Sequence, residues 1–128
     1  MAAEATFSVP KWLFKNSDGS PCEIKNTLAA VSAGATNAQV LAAVTGKRLR
    51  VLSITVNAGT AASILLSLKN GSGGAGLLYL RDPSTSTGAQ IHLAPSEIGH
   101  ADTGEGVGLF ADTAGADLVI SVRYIEYS

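Results

Sequence analysis

Between Lys47 and Lys69 the chain alternates apolar and polar side chains, and no other feature narrows the possible folds as far. Leu52, Ile54 and Val56 fall on one face, with Ser53, Thr55 and Asn57 on the other. After Ala58-Gly59-Thr60-Ala61 the pattern resumes, with Ile64, Leu66 and Leu68 set against Ser63, Ser67 and Lys69. A period of two belongs to strands, because successive side chains of an extended chain point to opposite faces. The expectation is an antiparallel hairpin of Lys47–Asn57 and Ser63–Lys69, turned at the intervening small residues.

The same reading extends along the chain. Thr27–Ser32, Gln39–Val44, Leu77–Arg81, Gln90–Ala94, Val107–Ala111 and Asp117–Tyr127 are further strand candidates. The polar stretches Asp82–Gly88 and Pro95–Gly106 read as loops, and Asp112-Thr113-Ala114-Gly115 as a turn. Ala29–Ala43 is rich in a helix-forming residue, but Gly34, Thr36 and Asn37 interrupt it, and Val31, Val40 and Val44 favour strands. On the last strand Leu118, Ile120, Val122 and Tyr124 are expected to face in, and Val119, Ser121, Arg123 and Ile125 out. Short strands at this spacing predict an all-β protein, an antiparallel β-sandwich of jelly-roll type. Leu52, Ile54, Leu66, Ile120 and Val122 should lie between its sheets.

The beginning of the chain is different. Phe7, Trp12, Leu13 and Phe14 put two of the three phenylalanines and the only tryptophan within eight residues. Pro10, Pro21 and Asn16-Ser17-Asp18-Gly19 break any regular ladder there. Residues 1–26 therefore read as an irregular N-terminal arm or end-cap, and residues 27–128 as the sandwich. Phe7, Trp12, Leu13 and Phe14 are candidate partner-binding residues. So are Val119, Ile125 and Tyr127, because an outward apolar row on the last strand exceeds what a free sandwich face requires. Copies meeting around a symmetry axis would cover that row, and a homotrimer is the expectation.

Chemistry is sparse. His92 stands at an outward strand position, and His100 lies in a loop with Asp102 and Glu105 whose oxygens lack the regular spacing of a calcium loop. No Gly-x-Ser-x-Gly elbow or dinucleotide fingerprint occurs. The expectation is no catalytic residue, no metal and no cofactor. With a net charge of -1, the one basic group, Lys47, Arg48 and Arg50, serves better to keep a strand edge soluble than to grip phosphate, so no nucleic acid is expected. Only 15% of residues are charged and 5% aromatic, so the core is aliphatic and the surface is built from small polar residues. An exposed aromatic is the usual platform for a sugar, and Tyr79, Tyr124 and Tyr127 are the candidates. The single cysteine, Cys22, reads as a small, partly buried hydrophobe. No leader sequence and no membrane span are expected.

The stretch Val44-Thr45-Gly46-Lys47-Arg48-Leu49-Arg50-Val51-Leu52, preceded by Asn37-Ala38-Gln39-Val40, resembles one seen in virion proteins of tailed bacteriophages. So does the closing strand after Ala111–Leu118. The resemblance covers roughly Asn37 to Ser128. It implies a head decoration or cement protein that binds the major capsid protein or another virion protein. It also allows a minor tail or fibre-associated protein. The implied location is the virion, after synthesis in the host cytoplasm. A stand-alone sugar- or peptide-binding module is the alternative class.

Overall fold

The computed structural model describes residues 15–60, 63–82, 90–93 and 101–128. These form nine strands and no helix: β1 (Ile24–Val31), β2 (Ala38–Leu41), β3 (Arg48–Ala58), β4 (Ile64–Asn70), β5 (Gly76–Asp82), β6 (Gln90–Leu93), β7 (Ala101–Asp102), β8 (Leu109–Gly115) and β9 (Leu118–Tyr127). One sheet has the order β1-β9-β3-β6, and the short β7 joins the same edge of β3 further along. The other has the order β2-β8-β4-β5. Every pairing is antiparallel. The two sheets enclose one aliphatic core, so the protein is an all-β sandwich.

The expected β3–β4 hairpin does not form. Both edges of β3 are taken, by β9 on one side and by β6 and β7 on the other, and β4 lies between β8 and β5 in the opposite sheet. The link after Ala58 therefore crosses from sheet to sheet, held where Gly59 N donates to Asp117 O at 2.7 Å. Alternation specifies which face of a strand is buried but not which strand lies beside it. The inner faces of β3 and β4 reach the same core from opposite sides.

Two other expectations change. Asp112–Gly115 is not a turn but the second half of β8, where Asp112, Thr113 and Ala114 pair with Ser67, Leu66 and Leu65. The chain turns later, at Ala116 and Asp117, and Ala116 N donates to Ser63 O at 2.8 Å. On β3 the register with β9 slips between Val51 and Ser53, so Leu52 is an extra residue in a bulge. It is buried, at 8% exposure, but stands outside the core cluster that holds Ile54, Leu66, Ile120 and Val122. Tyr124 packs against that cluster, as the inward assignment requires.

β1 begins at Ile24, ahead of the expected Thr27, and β7 interrupts the loop expected over Pro95–Gly106. Before β1, Lys15 bridges Pro21, and Ser17 N donates to Ser128 O at 3.0 Å. Phe7, Trp12, Leu13 and Phe14 lie outside the described residues.

Among the described residues the two buried polar ones, Thr103 and Thr113, hold connections in place. Thr113 Oγ1 donates to Ser32 O at 2.7 Å and accepts from Ala35 N at 3.2 Å, which ties the β1–β2 link to β8. Thr103 Oγ1 accepts from Leu49 N at 3.0 Å, securing the chain after β7 against β3. Among the described residues every buried side-chain nitrogen and oxygen has a partner, as a stable interior requires.

Candidate interaction surfaces

Residues opposite each other in an antiparallel pair share a face, so register and burial together define the outer surface of each sheet. On the β1-β9-β3-β6 sheet that surface carries Ile24, Asn26, Leu28 and Ala30 from β1, each exposed. Their neighbours on β9 are Ile125, Arg123, Ser121 and Val119 in turn. Farther across, the face is polar: Thr55 Oγ1 and His92 Nδ1 share a hydrogen bond of 2.8 Å, and Gln90 Nε2 donates to Asn57 Oδ1 at 2.9 Å. The apolar area is thus concentrated along the β1 edge. Leu28 is 72% exposed, Ile24 41% and Val119 39%. A shallow open hollow lined by Ala30, Gly59, Asp117 and Val119 adjoins them.

At the other end of this sheet lies a polar clasp. Arg50 on β3 faces Asp102 on β7, donating from Nε to Oδ1 at 2.8 Å and from Nη2 to Oδ2 at 2.9 Å. Tyr127 donates its hydroxyl to Asp102 Oδ2 at 2.8 Å, and the Arg50 guanidinium lies 5.0 Å from the centre of its ring. Asp102 raises the Arg50 pKa through this hydrogen bond. Burial, then the Asp102 contact, raises that of Tyr127. The clasp joins β3, β7 and β9 into one unit. Its charged groups are hydrogen-bonded to each other.

The outer surface of the β2-β8-β4-β5 sheet has a second polar cluster. Asn37, in the left-handed region at φ 54°, donates from its backbone nitrogen to Asp112 Oδ1 at 2.8 Å. Lys69 Nζ reaches both Asn37 Oδ1, at 2.5 Å, and Asp112 Oδ2, at 2.9 Å. The Asn37 backbone bond, reinforced by Lys69, holds the Asp112 carboxyl below its ordinary pKa. One row across, Ser67 separates Asp112 from Tyr79, which is 61% exposed. Of the three tyrosines, only Tyr79 offers an open ring.

The structure separates the partner-binding residues expected on β9. Val119 lies on the exposed patch. Ile125 is on the outer face, between Ile24 and Arg50 in register, but is only 1% exposed and offers no free surface. Tyr127 is half-buried in the clasp. His100 lies outside the described residues, and Asp102 is engaged by Arg50 and Tyr127. Among the described residues no group of three or more His, Cys, Asp or Glu is placed to hold a metal ion. Among them too, no helix is long and apolar enough to cross a membrane. Cys22 is partly buried, as expected, and burial raises its pKa. Leu28, the most exposed large hydrophobic residue among those described, was not marked in the sequence because Leu28-Ala29-Ala30-Val31 has no apolar-polar alternation.

Among the described residues these features define a β-sandwich with paired polar clusters on both faces and an exposed apolar edge. No protein-family model matches the chain, and no curated protein matches it. Among solved structures, a chain of the T13 IBDV viral particle aligns with 85% of this one, at 9% identity and a TM-score of 0.22. This chain spans 41% of that one. So loose an alignment carries no argument about fold or function.

Proposed function

We propose that this chain is a structural subunit of a tailed-phage particle, a decoration or cement protein of the head that binds the major capsid protein or another virion protein and further copies of itself. The reading is non-catalytic, without cofactor, nucleic acid or membrane. It rests on the sequence resemblance and on one structural observation. Leu28, Ile24 and Val119 leave apolar area uncovered along one sheet edge, while the polar clusters are internally paired. Exposed apolar area of this kind serves association. The strand order also supports a jelly roll, since β1 lies beside β9, β2 beside β8, β3 beside β6 and β4 beside β5. Four antiparallel pairs wound together generate that order.

The test is binding of the purified chain to particles that lack it. The expected result is saturable binding to heads that alanine at Phe7, Trp12, Leu13 and Phe14 abolishes without lowering the melting temperature. Binding confined to tails would assign the chain to the minor tail or fibre class. Absence of binding to any part of the particle would overturn the proposal.

A second reading is favoured by Tyr79, whose open ring beside Ser67 suits a sugar-binding module. Glycan binding lost in Tyr79→Ala, together with no affinity for particles, would select it.

A further inference from the structure

The edges of the two sheets are not alike. Strand edges expose unpaired backbone groups, and proteins blunt them with short strands, bulges, charge or proline. β2 has four residues and a register shift. β5 carries a register shift against β4 and ends in Arg81 and Asp82. The outer edge of β3 is divided between β6, of four residues, and β7, of two. β1 has only one of these devices, a charge at Lys25 near its start. It runs eight residues in unbroken register with β9, contains no proline, and carries no charge from Asn26 to Val31. Among the described residues no strand lies on its far side.

We infer that β1 pairs edge to edge with β1 of a second copy, antiparallel, so that two sandwiches share one continuous sheet. The partner chemistry is that of an extended, uncharged, partly apolar strand, and β1 itself meets that description. In a two-fold antiparallel pair, side chains opposite each other share a face only when the axis passes through a residue rather than between two. With the axis at Leu28, the two most exposed apolar side chains cover each other, Asn26 lies opposite Ala30, and Thr27 opposite Ala29. The same pairing turns the Lys25 end of each strand toward the end of the other copy where Asp117 stands. Between Asn26 and Ala30 no charges meet, and Glu23 reaches the Asp117 end together with Lys25.

A single strand edge buries less than the roughly 800 Å² per partner of a standard interface, so the pair forms at high local concentration, as on a surface bearing many copies. An isologous edge contact is two-fold, and this departs from the trimer expected on sequence grounds. The inference goes beyond the particle reading and does not depend on it.

Sedimentation of the purified full-length chain from micromolar to millimolar concentration tests it. The expected result is a reversible monomer–dimer equilibrium. Leu28→Lys, which sets like charges opposite each other, should weaken it by at least about tenfold at an unchanged melting temperature. In a chain carrying Cys22→Ser, Leu28→Cys should crosslink into dimers on mild oxidation, whereas Thr55→Cys, far from the edge, should not. A monomer at every concentration, a trimer, or a dimer indifferent to Leu28→Lys would overturn the inference. So would dimerisation that appears only after residues 1–14 are removed, because the chain's own beginning would then be the occupant of the edge.

Discussion

Arg50 and Asp102, 52 positions apart in sequence, meet in register across β3 and β7 through two parallel hydrogen bonds of 2.8 and 2.9 Å. The two planar groups match, and such bidentate pairs are the stronger class of ion pair. β7 has only two residues, and the clasp holds it to β3 together with the backbone bond from Thr103 N to Leu49 O at 2.8 Å. Both side chains remain partly open to solvent, which screens the charge contribution. Asp102→Ala should cost about 1–2 kcal/mol in urea unfolding. Arg50→Lys, unable to form both bonds, should lose a good part of the same amount. An unchanged midpoint in both variants would show that β7 is held by other contacts.

Tyr127 gives the clasp a pH dependence at the alkaline end. Its pKa is raised above the ordinary value of 10.0, first by burial and then by the hydrogen bond to Asp102, which needs the neutral phenol as donor. A group whose folded pKa is raised contributes stability that is fully present below the unfolded pKa and is lost as pH rises through the folded one. The advantage of the native protein over Tyr127→Phe should therefore be constant through neutral pH and shrink above about pH 10. Melting temperatures of the two proteins across that range measure it. A gap that widens above pH 10 would contradict the assigned donor.

Leu66 and Ile120 reach the core from opposite sheets, at 1% and 0% exposure. Truncation of either to alanine should cost on the order of 2–5 kcal/mol, the transfer energy of the lost methyl groups plus the cavity they leave. Leu28→Ala, at 72% exposure, should change the stability of the monomer by less than about 0.5 kcal/mol. Equal losses at all three positions would contradict the assignment of faces.

The sequence showed the faces of strands better than their neighbours. Ile54, Val56, Leu66 and Leu68 are buried as their alternation predicts, because a half-buried strand writes its inner face into every second residue. That β3 and β4 belong to different sheets left no such mark, since pairing is decided by strands far away in the chain. The bulge at Leu52 did leave a mark, since the apolar positions change phase from Leu49 and Val51 to Ile54 and Val56 across the consecutive pair Val51-Leu52, but the alternation was followed only from Leu52 onward. The Asp112–Gly115 stretch has turn-forming residues yet is strand, because it pairs residue by residue with Ser67, Leu66, Leu65 and Ile64 of β4, a partner distant in sequence. Of the candidate surface, Val119 was legible as an outward apolar residue on an alternating strand. Ile24 and Leu28 were not, since β1 follows no clean period.

Gly115 and Gly34 both occupy the left-handed region, at φ 87° and 73°, but their surroundings differ. A Cβ at Gly34 would meet nothing within 4 Å. A Cβ at Gly115 would run into the carbonyl oxygen and hydroxyl of Ser63, where the chain passes from β8 toward β9. The backbone cannot retreat, because Ala116 N is bonded to the same carbonyl and Ile64 pairs with Gly115 itself. Gly34→Ala should therefore show only the conformational cost, about 1–2 kcal/mol. Gly115→Ala adds the collision and should cost at least about 2 kcal/mol more, in the range of overpacked interiors. Urea unfolding of the two variants isolates the steric part, since the conformational part is common to both. Equal losses would show that β8 and the Ser63 segment can move apart freely. The crossing between the sheets would then not be held by the close contact of Gly115 with Ser63.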